Sequence, residues 1–162
     1  MPVLYKLHSL EEALEAAAAL RREGRRLVMT NGCYDLLHPG HIVHLQQARD
    51  LGDALFVAMN SDRSVRELKG PTRPVCNEMQ RALALSALEC VAVVLVFDSA
   101  SPLAVMEALR PEVYVKGGDY TLDTINQEER ALLESQGAEI RILPLVEDFS
   151  TTGVIKKLQL RS

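Results

Sequence analysis

The sequence contains no tryptophan, and phenylalanine and tyrosine together make up only 4% of its 162 residues. Single-stranded nucleic acids are held by stacking bases on aromatic rings, so this scarcity argues against a base-stacking platform. Positive charge is not in excess either: 18 lysines and arginines face 22 aspartates and glutamates, giving a formal net charge of −4 and an isoelectric point near 5.6. A surface dedicated to nucleic acid is therefore not expected, although a local basic pocket for a small anion is compatible with this balance. Cysteine occurs only at Cys33, Cys76 and Cys90, an odd number without paired spacing, which points to a reducing, cytoplasmic setting rather than a disulfide framework. Apolar runs such as Val91 to Phe97 are too short to cross lipid, and Met1-Pro2-Val3-Leu4-Tyr5-Lys6 lacks a charged region followed by a long apolar core. Neither a membrane span nor a secretory signal is expected. Two common phosphate-binding loops, Gly-X-X-X-X-Gly-Lys-Ser/Thr and Gly-X-Gly-X-X-Gly, are missing as well.

What is present fits one domain over residues 1–162 with a sizeable core. Ser9-Leu10-Glu11-Glu12 reads as a capping box that opens an alanine-rich helix ending near Gly24. Short apolar strands are predicted at Leu27 to Thr30, Ala54 to Met59, Val91 to Phe97, Glu112 to Val115 and Glu139 to Leu143. Helices are predicted between them, near Gly40 to Asp50, after Asn60-Ser61-Asp62, at Glu78 to Leu88, from Ser101-Pro102 through Leu109 and at Gln127 to Gln136. A last helix is capped by Ser150-Thr151-Thr152. Continuous rather than alternating apolar strands, interleaved with helices, predict a doubly wound α/β domain with a five-stranded parallel sheet. The expected strand order, 3-2-1-4-5, sets the C-terminal ends of the first and fourth strands side by side at the switch point where ligands bind.

The richest stretch follows the first of these strands: Thr30-Asn31-Gly32-Cys33-Tyr34-Asp35-Leu36-Leu37-His38-Pro39-Gly40-His41. Gly32 permits a tight turn, Pro39 suits the first position of a helix, and Gly40 lets an anion approach the amides beyond it. His38 and His41 are three apart, so on a helix both imidazoles can donate to one ligand. His44 extends the spacing, but three side chains so spaced do not converge, and no metal site is expected. At the fourth strand's end stands Lys116-Gly117-Gly118-Asp119, and a breaker-rich loop carries Lys69 and Arg73, with Arg81 beyond it. Such basic loops close over polyphosphate.

These residues carry a family resemblance. Thr30 to His41 with His-Pro-Gly-His, Lys69-Gly70, Arg73-Pro74, Lys116-Gly117-Gly118-Asp119-Tyr120 and Ser150-Thr151-Thr152 resemble the cytidylyltransferase-like nucleotidyltransferases across nearly the whole chain. With Asn60-Ser61-Asp62 included, the set is most similar to bacterial heptose 1-phosphate adenylyltransferases. The resemblance implies a Rossmann-like nucleotidyltransferase fold and transfer of AMP from ATP to D-glycero-β-D-manno-heptose 1-phosphate, with Mg2+ accompanying ATP. It implies catalytic roles for His38, His41 and Lys69. Nucleotide binding is expected of Thr30, Asn31, Gly32, Cys33, Tyr34, Gly40, Arg81, Lys116, Gly117, Asp119, Ser150, Thr151 and Thr152. Asp35, Asn60, Asp62 and Arg73 are expected on the sugar-phosphate side. Lys156 stands where the family's final motif often has arginine, which keeps the charge and loses the bidentate fork. A homodimer and a separate kinase supplying the substrate are further expectations. A CTP-dependent glycerol 3-phosphate cytidylyltransferase and a non-catalytic nucleotide-binding regulatory module are the competing readings.

Overall fold

The computed structural model describes residues 5–118 and 120–144. Its elements run β1 (Leu7–His8), α1 (Leu10–Arg22), β2 (Leu27–Gly32), α2 (Pro39–Arg49), β3 (Ala54–Asn60) and α3 (Asp62–Lys69). Then follow α4 (Glu78–Ser86), β4 (Val93–Phe97), α5 (Leu103–Leu109), β5 (Val113–Gly117), α6 (Gln127–Ser135) and β6 (Glu139–Leu143). The capping box at Ser9 forms as expected, with the Ser9 hydroxyl accepting from the Glu12 amide and the Glu12 carboxylate from the Ser9 amide. Gly24, at φ 70°, lets the chain leave α1 in the left-handed region that side chains avoid.

All strand pairs are parallel, in the order β1-β4-β3-β2-β5-β6. The five predicted strands keep their expected neighbours, and one expectation is corrected: the sheet has six strands. The sixth, β1, adds to the outer edge of β4 through Leu7↔Val94 and His8↔Leu95. Two residues are too few to show a hydrophobic period, so this strand exists only because the exposed edge of β4 offers it hydrogen bonds.

Both faces of the sheet are covered, as continuous apolar strands require. Leu27, Met29, Phe56, Ala58, Leu95 and Tyr114 pack with α1, α5 and α6 residues such as Ala17, Met106 and Leu133. Val28, Leu55, Val57, Val94, Val113 and Val115 face the other way, against Leu45, Ala48, Ala82 and Leu85 of α2 and α4. This alternation makes a three-layer sandwich, with β2 in the middle of the sheet. Its neighbours β3 and β5 lie on opposite sides, so the crossovers diverge from β2 and leave a crevice beyond its C-terminal end.

Candidate active site

The crevice floor is the end of β2 and the turn that follows it. Thr30 is buried at 1% exposure, and its hydroxyl lies 3.4 Å from His44 Nε2. Tyr34 takes a positive φ of 47° and drives its ring into the core, where burial raises its hydroxyl pKa. The ring's edge sits 3.0 Å from where a Cβ on Gly32 would be, so a side chain here would press on the Tyr34 ring. His38 caps α2 with extended backbone and no side-chain cap bond, and Pro39 follows at the first helical turn. The His38 and His41 rings stack at 3.8 Å between centroids, and the Tyr34 ring meets His41 in a tilted contact at 5.4 Å.

The electrostatics of this turn favour an anion. Burial, then the neighbours His38, His44 and Lys69, push the His41 pKa down to about 4, while a backbone contact with Leu36 pulls the other way. Burial likewise lowers His38, whose buried Nδ1 has no hydrogen-bond partner among the described residues. Burial thus keeps both rings neutral near pH 7, each with a single N–H, at the positive end of a helix whose first turn carries no acid.

The basic loop is tied to this turn by Asp35. Its carboxylate, buried at 3% exposure, accepts from Arg73 Nε at 2.5 Å and from the Val75 and Cys76 amides at 2.7 and 3.1 Å. Burial alone would raise the Asp35 pKa, but Arg73 and the two amides outweigh it and hold the carboxyl below its ordinary value. Asp35, expected on the sugar-phosphate side, binds the loop through both of its oxygens. Arg73 keeps a buried Nη2 without a hydrogen-bond partner among the described residues. Lys69, at the exposed end of α3, makes no hydrogen bond or ion pair among them, yet its charge is felt at His41 and Cys33.

Arg81, expected near phosphate, is almost wholly buried on α4 and donates into the protein. Nε reaches Cys76 O, Nη1 reaches Cys33 O and Asn60 O, and Nη2 reaches Asp62 Oδ1 at 2.8 Å. Cys33 and Asn60 also meet through a 3.7 Å Sγ to Oδ1 contact, and the Asn60 amide donates to Ser64 Oγ and Ser99 O. Asn60 and Asp62, expected at the substrate, therefore brace the ends of β3 and α3 through these bonds.

From the far side, β5 delivers Lys116 and Gly117. A Cβ on Gly117 would sit 2.8 Å from two atoms of the His44 ring, so any larger residue here must displace that ring. Gly117→Ala is expected to cost about 1–3 kcal/mol of stability as the ring is displaced, read as a lowered urea midpoint with an unchanged slope. Lys116 Nζ lies 3.5 Å from the Tyr114 hydroxyl, which in turn donates to Asn31 Oδ1 at 2.5 Å. A carboxylate that sequence reasoning missed, Glu129 on α6, lies 3.6 Å from the same ammonium. Asp119, Ser150, Thr151, Thr152 and Lys156 lie outside the described residues.

A cytidylyltransferase-like family model matches residues 29–157. The chain is 51% identical over 152 residues to the bifunctional protein HldE of Koribacter versatilis, covering 94% of this chain and 31% of that protein. It is 47% identical over 150 residues to the protein of the same name from Syntrophotalea carbinolica, covering 93% and 30%. It thus spans about a third of the length of these curated relatives. Among solved structures, a lipopolysaccharide core biosynthesis protein from Thermoplasma volcanium superposes with a TM-score of 0.61 at 25% identity, covering 76% of this chain and 98% of that one.

Proposed function

The chain belongs to the cytidylyltransferase-like family of nucleotidyltransferases, and from that membership and the site's geometry we propose that it transfers AMP from ATP to D-glycero-β-D-manno-heptose 1-phosphate. The products are ADP-heptose, destined for lipopolysaccharide core synthesis, and pyrophosphate. What carries the reading is the stacked pair of neutral imidazoles, His38 and His41, at the N-terminal turn of α2. Two adjacent donors over a helix N-terminus suit a phosphate chain better than a lone metal ion or an apolar ligand.

The chemistry needs no protein nucleophile. An oxygen of the sugar phosphate attacks the α-phosphorus of ATP, the bond from that phosphorus to the β-phosphate bridging oxygen breaks, and the electron pair leaves with pyrophosphate. Catalysis is then positioning and neutralisation of charge. His41 and His38 would donate to the phosphates, Lys69 would swing from its exposed helix end to the transferring group, and Asn31 and Lys116 would line the nucleotide side. The Asp35 latch fixes the loop that brings Arg73 alongside. Among the described residues no group of three or more His, Cys, Asp or Glu side chains is arranged to hold a metal. Mg2+ would accompany ATP and supply charge screening for the triphosphate.

The test is a matrix of nucleoside triphosphates against sugar 1-phosphates and glycerol 3-phosphate, read by pyrophosphate release and product mass. ADP-heptose from ATP is the expected product. CTP with glycerol 3-phosphate as the productive pair would replace this reading with the cytidylyltransferase one. ATP binding by calorimetry with no product from any acceptor would make the chain a nucleotide-binding regulatory module.

A further inference from the structure

We propose that Glu129 is a positioning residue: through Lys116 and Tyr114 it fixes which way the side-chain amide of Asn31 faces at the end of β2. The inference rests on reading this end of the sheet as the nucleotide site.

Acidic residues in the first turn of a helix ordinarily sit in solvent and complement the dipole, as Glu128 does here. Glu129, one position on, is turned inward to 4% exposure. Its Oε1 accepts from the Ser101 hydroxyl at 2.9 Å, while Oε2 is buried with no hydrogen-bond partner among the described residues and lies 3.6 Å from Lys116 Nζ. A buried carboxylate is costly unless a cation compensates it, so the ammonium is drawn toward α6 and away from the alternatives its long stem allows. The Tyr120 ring, 5.7 Å from Nζ, borders the same ammonium.

An ammonium has donors only. Its 3.5 Å contact with Tyr114 therefore makes the phenolic oxygen the acceptor, and the phenolic proton is left for Asn31. Burial, and after it the negative charge of Glu129, keeps the Tyr114 hydroxyl protonated. It donates to Asn31 Oδ1 at 2.5 Å. Because the oxygen of that amide is occupied, Nδ2 and its two N–H groups face the other way, and they have no partner among the described residues. The chain Glu129, Lys116, Tyr114, Asn31 is polarised in one direction, and a flipped Asn31 would set two donors against each other. The outcome is a pair of donors fixed at the switch point, ready for an acceptor on the nucleotide.

The experiment uses Glu129→Gln, Lys116→Met, their double variant and Tyr114→Phe in the full chain. Two readouts are taken: the 15N resonance of the Asn31 side-chain amide without ligand, and the Kd for ATP by calorimetry. Glu129→Gln is expected to move the amide resonance and weaken ATP about tenfold, and to do neither in the Lys116→Met background. Tyr114→Phe, which keeps the ring that fills the core, is expected to reproduce both effects. Equal losses in both backgrounds, or an Asn31 amide that none of the variants moves, would overturn the proposal. If the variants move the amide as expected but the wild-type chain binds no nucleoside triphosphate, the positioning chain stands and the AMP-transfer reading is overturned instead.

Discussion

His41→Ala is expected to lower kcat about a hundredfold, or about 3 kcal/mol of transition-state stabilisation, while the folded state survives. The size follows from the kind of donor removed. His41 is stacked on the His38 ring and contacted by the Tyr34 ring, and these contacts restrict its orientation before substrate arrives. A fixed donor stabilises developing charge without reorganising, and water admitted into the space cannot reproduce that geometry. His41→Gln, which restores a donor on a flexible stem, is expected to recover only part of the loss. Near-normal turnover in His41→Ala would remove this residue from the catalytic set.

The same residue carries a pH signature. With His41 pushed from an ordinary 6.5 to about 4, the unfolded chain binds a proton that the folded chain does not over that interval. Stability is therefore full above about pH 6.5 and falls as the pH drops toward 4, at about 1.4 kcal/mol per pH unit for one such group. Phosphate beside the ring favours its charged form, so ATP binding near pH 5.5 is expected to take up protons. Calorimetry in buffers of different ionisation enthalpy measures the uptake, and His41→Ala should diminish it.

The sequence disclosed most clearly what is local. The β2 turn, with Gly32, Pro39 and the two histidines, is written in adjacent positions whose backbone demands are individually recognisable. The switch-point pairing of β2 with β5 followed from the handedness of crossovers once the strands were found. What stayed hidden was pairing across the chain. Asp35 and Arg73 were each singled out as substrate-side residues, but nothing in their positions says that each satisfies the other. Glu129 reads as an ordinary first-turn acid until α6 is packed against the end of β5, where it finds Lys116. Tyr114 reads as one more apolar strand residue, and only the placement of β5 beside β2 points its hydroxyl at Asn31. In each case the signal is a partner distant in sequence, and burial, which makes the pairing obligatory, is a property of the fold.

Arg81→Met is expected to cost about 3–5 kcal/mol of stability, enough to remove much of a domain's margin. Arg81 is 1% exposed and bridges four segments: the Cys33 carbonyl of the histidine turn, the Asn60 carbonyl at the end of β3, Asp62 at the start of α3, and the Cys76 carbonyl before α4. Methionine fills a similar space but leaves three carbonyls and one carboxylate without this donor, and orphaned buried acceptors carry the full cost of desolvation. Arg81→Lys is expected to rescue little, because a single ammonium cannot span acceptors that a planar guanidinium reaches along three directions. Turnover should fall together with stability, since the turn that presents His38 and His41 hangs from the Cys33 carbonyl. Urea unfolding of the two variants, with ATP affinity measured well below the midpoint, separates the possibilities. A variant as stable as the wild type but weakened toward ATP would return Arg81 to the phosphate role that its charge alone suggests. A destabilised variant with a displaced turn identifies it as the anchor of the loop.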